Sequence, residues 1–386
     1  MRATADQLRA AIDALSPTEP LAIFDCGEDG TLVAWGDGPA VAEGPDWPAQ
    51  ARALLGEDAL LVGWIAYEAG AAFERMPAPA RPLRQPAVRL WRPARSIWLR
   101  GAAPEAPPPQ RPRPAARALP GAAPEAYQGS VAQLLEFIAE GDVYQANLAW
   151  EAGPLPCPAP LSLWLRLRAE NPAERGAFVR YGGHALISNS PELFLKVRPD
   201  GEGSIAETAP IKGTAVGTEA GAAYLRASEK ERAELTMIVD MARNDLSRVA
   251  RPGTVLAGPR TLRRCGDLWH AEQRIQGAAG GEVHSFDWIA ASFPPASVTG
   301  APKVRAMQRI HELEAGPRGA YTGAIGWLRG PREAHLNVAI RTLCWAEGQA
   351  HVHLGAGIVA DSSPLGEWQE TLHKGAALAA ALGDPP

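Results

Sequence analysis

The sequence predicts an α+β fold. Three observations carry that expectation. Short strand-like apolar runs are interspersed with helical signatures but show no regular β-α alternation, which argues against a doubly wound parallel sheet. No internal repeat marks a solenoid or propeller. The 386 residues, 46% of them apolar, suffice for two ordinary domains or one large composite one.

In chain order, strand-like runs rich in branched and aromatic residues fall at 21–24, 31–35, 60–66 and 88–99. Residues 101–126 are dominated by Pro and Ala without apolar periodicity and read as a linker or surface loop. They divide an N-terminal part, 1–100, from a larger region, 127–386. A helical signature covers 127–140 and stops at Gly141, as helices often do. Strands are expected near 143–150, 177–181, 184–188 and 193–197, and a long helix over 229–249. Further helices fit 285–291, 302–313 and 366–382; further strands fit 321–328, 334–345 and 350–354.

A formal net charge of -5 with no basic stripe argues against a nucleic-acid binder. The cysteines Cys26, Cys157, Cys265 and Cys344 are scattered, with no metal or redox spacing. That fits a reducing cytoplasm and no disulfide framework. No uninterrupted apolar stretch approaches the roughly 18 residues of a membrane span, and no signal-peptide pattern opens the chain.

Lys212 is the first candidate for chemistry. It lies in Pro210-Ile211-Lys212-Gly213-Thr214, which reads as a tight turn. A lysine there is either a solvated charge or a covalent nucleophile; the second role needs burial or nearby cations to favour the neutral amine. Glu192, in Ser190-Pro191-Glu192, is either an exposed strand-start residue or, in a dry pocket, a general acid. His270 is either a proton handler or a hydrogen-bonded core histidine.

Several carboxylates have two readings as well. Glu231 follows Ser228 at capping-box spacing, so it is a cap or a ligand. Glu234 shares a helix face with Ile238, Met241 and Asp245 and needs a partner there, either a metal ion or a buried arginine. Glu367, Glu370 and Lys374 form either solvated helix pairs or part of an oxygen-rich Mg²⁺ site.

Anion-holding groups are similarly placed. Ser297, Thr299 and Gly300 precede Pro302, expected at the first helical position, so the segment is a capped helix start or an anion site. Arg341 is expected on a strand face with Asn337 and Ala339, either holding a carboxylate or lying in solvent. Gly355-Ala356-Gly357 permits close backbone approach to a ligand, or is a simple turn.

Together these segments resemble the chorismate-utilising enzymes. The motifs are GDVYQANL, SPELFL, PIKGT, ERAELTMIVDMARNDLSRV, ASVTGAPKVRAMQRI, YTGAIGW, AIRTL and GAGIVADSSPLGEWQET, spread from about Tyr127 to Leu382. The resemblance implies a large anthranilate synthase-like fold, a β-sandwich core with helices outside and the active site between the sheets. It implies Mg²⁺ held by Glu234 and Glu370 with Glu231 close by, neutralising the ring carboxylate of chorismate. Ser297, Tyr321, Arg341 and Gly357 match positions around the substrate carboxylates. His270 and Lys374 match positions beside them, and Gly213, Thr214, Thr299 and Gly355 fall within the same motifs.

Two positions then bear on the reaction. Water-adding members carry a lysine base where this chain has Gln145, and anthranilate synthases typically carry alanine where it has Lys212. The pair resembles aminodeoxychorismate synthase component I, in which the lysine attacks the ring and Glu192's counterpart is the acid. The resemblance implies ammonia from a separate glutamine amidotransferase subunit, since no Gly-x-Cys-x-Gly elbow is present. Anthranilate, isochorismate or aminodeoxyisochorismate formation, or a silent chorismate-binding scaffold, are the alternatives. Departures from the family pattern include Ala209, where an arginine commonly stands, and Ala271-Glu272-Gln273 after His270, where Leu-Val-Ser is usual.

Overall fold

The protein, seen in a computed structural model, is described over residues 4–41, 44–100, 124–265 and 268–382. Its described strands form two antiparallel sheets. The first runs, in spatial order, Gly300–Ala301, Gln145–Pro156, Gln349–Ile358, Thr342–Ala346, His184–Ser190, Arg175–Tyr181, Leu21–Asp25, Thr31–Trp35 and Arg95–Leu99. The second runs Ile211–Val216, Leu268–Ala279, Gly203–Ala209, Leu193–Asp200, Glu333–Val338, Ala324–Arg329, Leu60–Ile65 and Val88–Trp91, with Leu256–Cys265 also paired to Leu268–Ala279.

Strand alternation sorts the apolar residues into layers. Ala22, Phe24, Leu32 and Ala34 of the first sheet meet Val62, Trp64 and Trp327 of the second in one buried cluster between the sheets. Leu21, Ile23 and Val33 point the other way, onto helices Ala5–Ile12, Pro160–Glu170 and Pro364–Leu382. The outer face of the second sheet packs on helices Trp47–Leu55, Glu229–Ser247 and Ser285–Ser292. The result is the expected sandwich of sheets with helices outside.

Several expected elements differ. The run at 88–99 is two strands in different sheets, because Pro93 interrupts the ladder between Val88–Trp91 and Arg95–Leu99. The run at 334–345 also splits, into Glu333–Val338 and Thr342–Ala346. The strand expected from 321 starts at Ala324, after a turn in which Thr322 has φ 59°. Pro302 precedes the helix Lys303–Leu313 rather than opening it. Residues 125–126, expected in the linker, begin the helix Glu125–Ala139, and 101–123 lie outside the described residues. Among the described residues no helix is long and apolar enough to cross a membrane, and all four cysteines are free thiols.

Candidate active site

Two neighbouring sheet-to-sheet crossovers supply an acid and a guanidinium. Residues 191–192 join His184–Ser190 of the first sheet to Leu193–Asp200 of the second. Residues 339–341 make the reverse passage. The crossovers are zipped together: Asn189 N–H donates to the Arg341 carbonyl at 3.0 Å and Val338 N–H to the Glu192 carbonyl at 3.1 Å. The Ser190 hydroxyl donates to the Val338 carbonyl at 2.7 Å and accepts from Glu192 N–H at 3.2 Å. Arg341 therefore does not sit on a continuous strand face with Asn337 and Ala339. It has φ 50°, in the sparsely used left-handed region.

Glu192 is only 3% exposed. Its carboxylate accepts hydrogen bonds from the Ser297 hydroxyl and the Ile211 N–H. Burial nevertheless pushes its pKa up to about 7, against the pull of Ser297 and of the Lys212 charge. A carboxyl group held there is substantially protonated at neutral pH, as a general acid must be.

His270 resolves by elimination. A guanidinium only donates, so the Arg341 Nη2 contact at 3.3 Å makes His270 Nε2 the acceptor. Nδ1 then carries the hydrogen and donates to Thr214 Oγ1 at 3.0 Å. Burial, with Arg341 next, drives the histidine pKa down to about 2. The neutral ring orients Arg341 and is poorly suited to shuttling protons.

Lys212 lies on a bulged edge strand, not in a tight turn. Ile211–Val216 pairs with Leu268–Ala279, its register shifts between Ile211 and Thr214, and Gly213 takes φ 85° there. Bulges re-aim side chains. This one sends the Lys212 amine across to the first sheet. A Cβ built on Gly357 would lie 2.9 Å from Lys212 Nζ and 3.0 Å from Gln145 Nε2. Burial and then the Lys374 charge push the Lys212 pKa down, while Glu234, Glu370 and Glu192 oppose them.

The first-sheet wall follows from alternation. Ala146, Leu148, Ala356 and Ile358 pack on the helices, so Gln145, Asn147, Gly355 and Gly357 face inward. Gly355 and Gly357 thus lie inside a strand, not in a turn after it. A side chain at Gly355 would overlap the Tyr321 hydroxyl, which accepts a 3.2 Å hydrogen bond from Asn147 Nδ2.

Helices Glu229–Ser247 and Pro364–Leu382 bring acids to the same mouth. Ser228 caps the first, accepting from Glu231 N–H at 3.3 Å. The Glu231 carboxylate points at Gly213, where a Cβ would lie 2.9 Å from Oε2. Burial, then Glu234 and Glu370, raise the Glu231 pKa. On the second helix Glu370 and Lys374 pair at 2.6 Å, and Lys374 Nζ also donates to the Gly355 carbonyl at 3.1 Å. For Glu370, burial is outweighed by Lys374 and the pKa falls. Glu367 Oε2 is buried without a hydrogen-bond partner.

Among the described residues no group of three or more His, Cys, Asp or Glu side chains forms a metal cage. The crowded carboxylates and the orphaned Glu367 oxygen still fit a hard cation. Mg²⁺ commonly takes one or two protein carboxylates and completes its shell with substrate oxygens and water.

Most expected residues therefore converge: Lys212, Gln145 and Gly357; Glu192 and Ser297; Thr214, His270 and Arg341; Tyr321, Gly355, Lys374 and Glu370. Thr299 does not join them, because its hydroxyl donates within its own turn to the Pro295 and Ala296 carbonyls. Sequence reasoning missed Asn147, although its spacing of two from Gln145 places both on one strand face. It also missed Arg318, whose loop has no periodicity to flag it. Arg318 is 2% exposed and donates to Glu314, the Val298 and Asn147 carbonyls and Thr322, beneath the Tyr321 ring.

A sandwich with this site between its sheets defines the class. The chain belongs to the family of chorismate binding enzymes, whose model matches residues 40–380. It is 40% identical over 265 residues to a 2-amino-4-deoxychorismate synthase of Streptomyces globisporus, covering 68% of this chain and 53% of that protein. It is 39% identical over 261 residues to anthranilate synthase component 1 of Streptomyces coelicolor, covering 65% and 50%. It is 37% identical over 265 residues to aminodeoxychorismate synthase component 1 of Bacillus subtilis, covering 67% and 56%. The chain spans about half the length of these relatives. The fold matches that of anthranilate synthase component I from Streptococcus pneumoniae with a TM-score of 0.74, at 24% identity and over 95% of this chain and 93% of that one.

Proposed function

We propose that this chain is the chorismate-aminating component of an aminodeoxychorismate synthase, making 4-amino-4-deoxychorismate through a covalent adduct on Lys212. The observation that carries the reading is the Lys212 amine, buried beside Gln145 and Gly357 and shifted toward its neutral form. An amide at 145 does not deprotonate water, and a lowered lysine at 212 is a nucleophile.

The neutral Lys212 amine bonds to ring carbon 2. The ring double bonds shift and the carbon 4 hydroxyl leaves as water, taking its proton from Glu192; the new ammonium centre passes a proton back to the Glu192 carboxylate. Ammonia then bonds at carbon 4, the double bonds shift back, and the Lys212–carbon bond breaks as its nitrogen takes a proton from Glu192, which regains one from the new carbon 4 ammonium, so the neutral Lys212 amine and the acid are both restored. Arg341, held by His270, is placed to grip a carboxylate in a two-pronged pair. Glu234 and Glu370, with Glu231 or Glu367 beside them, would hold Mg²⁺, which when bound withdraws charge from the ring carboxylate.

The designation component 1 among the relatives supports a separate glutamine amidotransferase as ammonia donor. The reading places the enzyme in the cytoplasm, on the route to 4-aminobenzoate and folate. A second reading, amination at carbon 2, is favoured by the name of the Streptomyces globisporus relative. The test is product identification by mass and NMR after incubation with chorismate, ammonia and Mg²⁺. Nitrogen on carbon 4 is the expected result; nitrogen on carbon 2, or fluorescent anthranilate, overturns it.

A further inference from the structure

Around the Pro191 carbonyl, next to Glu192 in the chain, lies an ion cluster that none of the catalytic steps uses. Arg175 of the first sheet is 6% exposed, and its Nη1 donates to the Pro191 carbonyl at 2.8 Å. Arg263 reaches the same carbonyl from the second sheet through Nη2. Between the two guanidiniums sits Glu272, 2% exposed, 2.9 Å from Arg263 and 3.7 Å from Arg175. Glu174 also pairs with Arg263 and lies 3.7 Å from Arg175, and Arg274 lies 3.7 Å from Glu272, but both of these side chains are half-exposed; Glu272 is the buried anion that two such close cations need. Glu272 is on the strand that carries His270, opposite Ile211 in register.

We propose that Arg175, Arg263 and Glu272 are positioning residues for the general acid: the two guanidiniums clamp the carbonyl of Pro191, and Glu272 balances their charge so that Glu192 keeps its proton. The inference rests on the reading of Glu192 as the acid. The clamp joins both sheets at the crossover, so it fixes the Glu192 backbone from both sides. The other charged groups facing Glu192 are Lys212, Arg341 and, across a small cavity, Asp245 of helix Glu229–Ser247. Asp245 is itself paired with Lys303 at 2.7 Å.

The signs of the two changes are opposite. Glu272→Gln keeps the shape but removes the buried anion, leaving only the half-exposed Glu174 against Arg175, Arg263 and Arg274, and this more positive cluster favours ionised Glu192. Arg263→Met removes a cation and has the reverse effect. The test is the pH dependence of kcat for chorismate consumption at constant free ammonia, on variants with wild-type circular dichroism. The high-pH limb is expected to move down by about one pH unit in Glu272→Gln, with turnover at pH 8 about tenfold lower, and to move up in Arg263→Met. Arg263→Lys, which keeps the charge, is expected to lower kcat with the limb unmoved. A limb that stays in place in both Glu272→Gln and Arg263→Met overturns the proposal. Glu192→Gln, assayed in parallel, separates the causes: if it keeps wild-type turnover the acid assignment fails, and if it is inactive while the limbs stay fixed only the clamp fails.

Discussion

Replacing Glu192 by Gln tests whether the acid is held at an energetic cost to the fold. In the native protein its pKa is about 7, against an ordinary 4.5. Below pH 4.5 folded and unfolded chains both carry the proton, so the residue costs nothing. As pH rises toward 7 the unfolded chain ionises and the native one resists. Stability is lost across that window and levels off above it. The full penalty is roughly 3 kcal/mol at pH 8 and under about 1 kcal/mol at pH 5. Glutamine has no charge to bury and still accepts from Ser297. Urea unfolding followed by tryptophan fluorescence should therefore show Glu192→Gln more stable than wild type by up to about 3 kcal/mol at pH 8, with the gap closing toward pH 5. Turnover of the same variant should fall by about 10² to 10⁴. Equal stability at both pH values, or a loss at pH 8, would refute the placement of a strained acid.

Other perturbations have distinct signatures. Gly357→Ala puts a methyl against Lys212 Nζ and Gln145 Nε2; kcat should fall at least about tenfold with little change in the melting temperature. Arg341→Lys loses the forked grip on a carboxylate and the contact with His270, so KM for chorismate should rise about 10- to 100-fold, read from initial rates. The wild-type profile of kcat/KM should be bell-shaped, because turnover needs Glu192 protonated and Lys212, its pKa pushed down by burial, neutral; the limb that belongs to Glu192 should lie near pH 7 and vanish in Glu192→Gln. Chelation with EDTA should abolish turnover and excess Mg²⁺ should restore it; full activity in EDTA contradicts the metal assignment.

The legible parts of the fold were those with strong local patterns. Helices at 229–249 and 302–313 show in apolar spacing and capping residues, and each falls within two residues of the observed bounds. Leu256–Cys265 gives no strand signal in the sequence because it is largely exposed and charged, with no apolar run. The crossovers give no signal for the opposite reason. Val338 to Ile340 continues an apolar run, and only tertiary pairing shows that the chain changes sheets there. Individual site residues were legible as chemical types, but their partners were not. Arg341 of a crossover meets His270 of the second sheet, and Lys212 meets Gly357 of the opposite sheet, only when the sandwich closes. Glu272 shows as an oddity of sequence, but two of its counter-charges, Arg175 and Arg263, lie on other strands.

The proposed reaction depends most on the Lys212 amine acting as a nucleophile. Its most direct test is mass spectrometry of protein quenched with chorismate and Mg²⁺ in the absence of ammonia. A covalent adduct gives a peptide containing Lys212 heavier by chorismate less one water, released when ammonia is added and absent from Lys212→Ala. Unmodified Lys212 in protein that aminates chorismate at the wild-type rate, or an undiminished rate in Lys212→Ala, would contradict it.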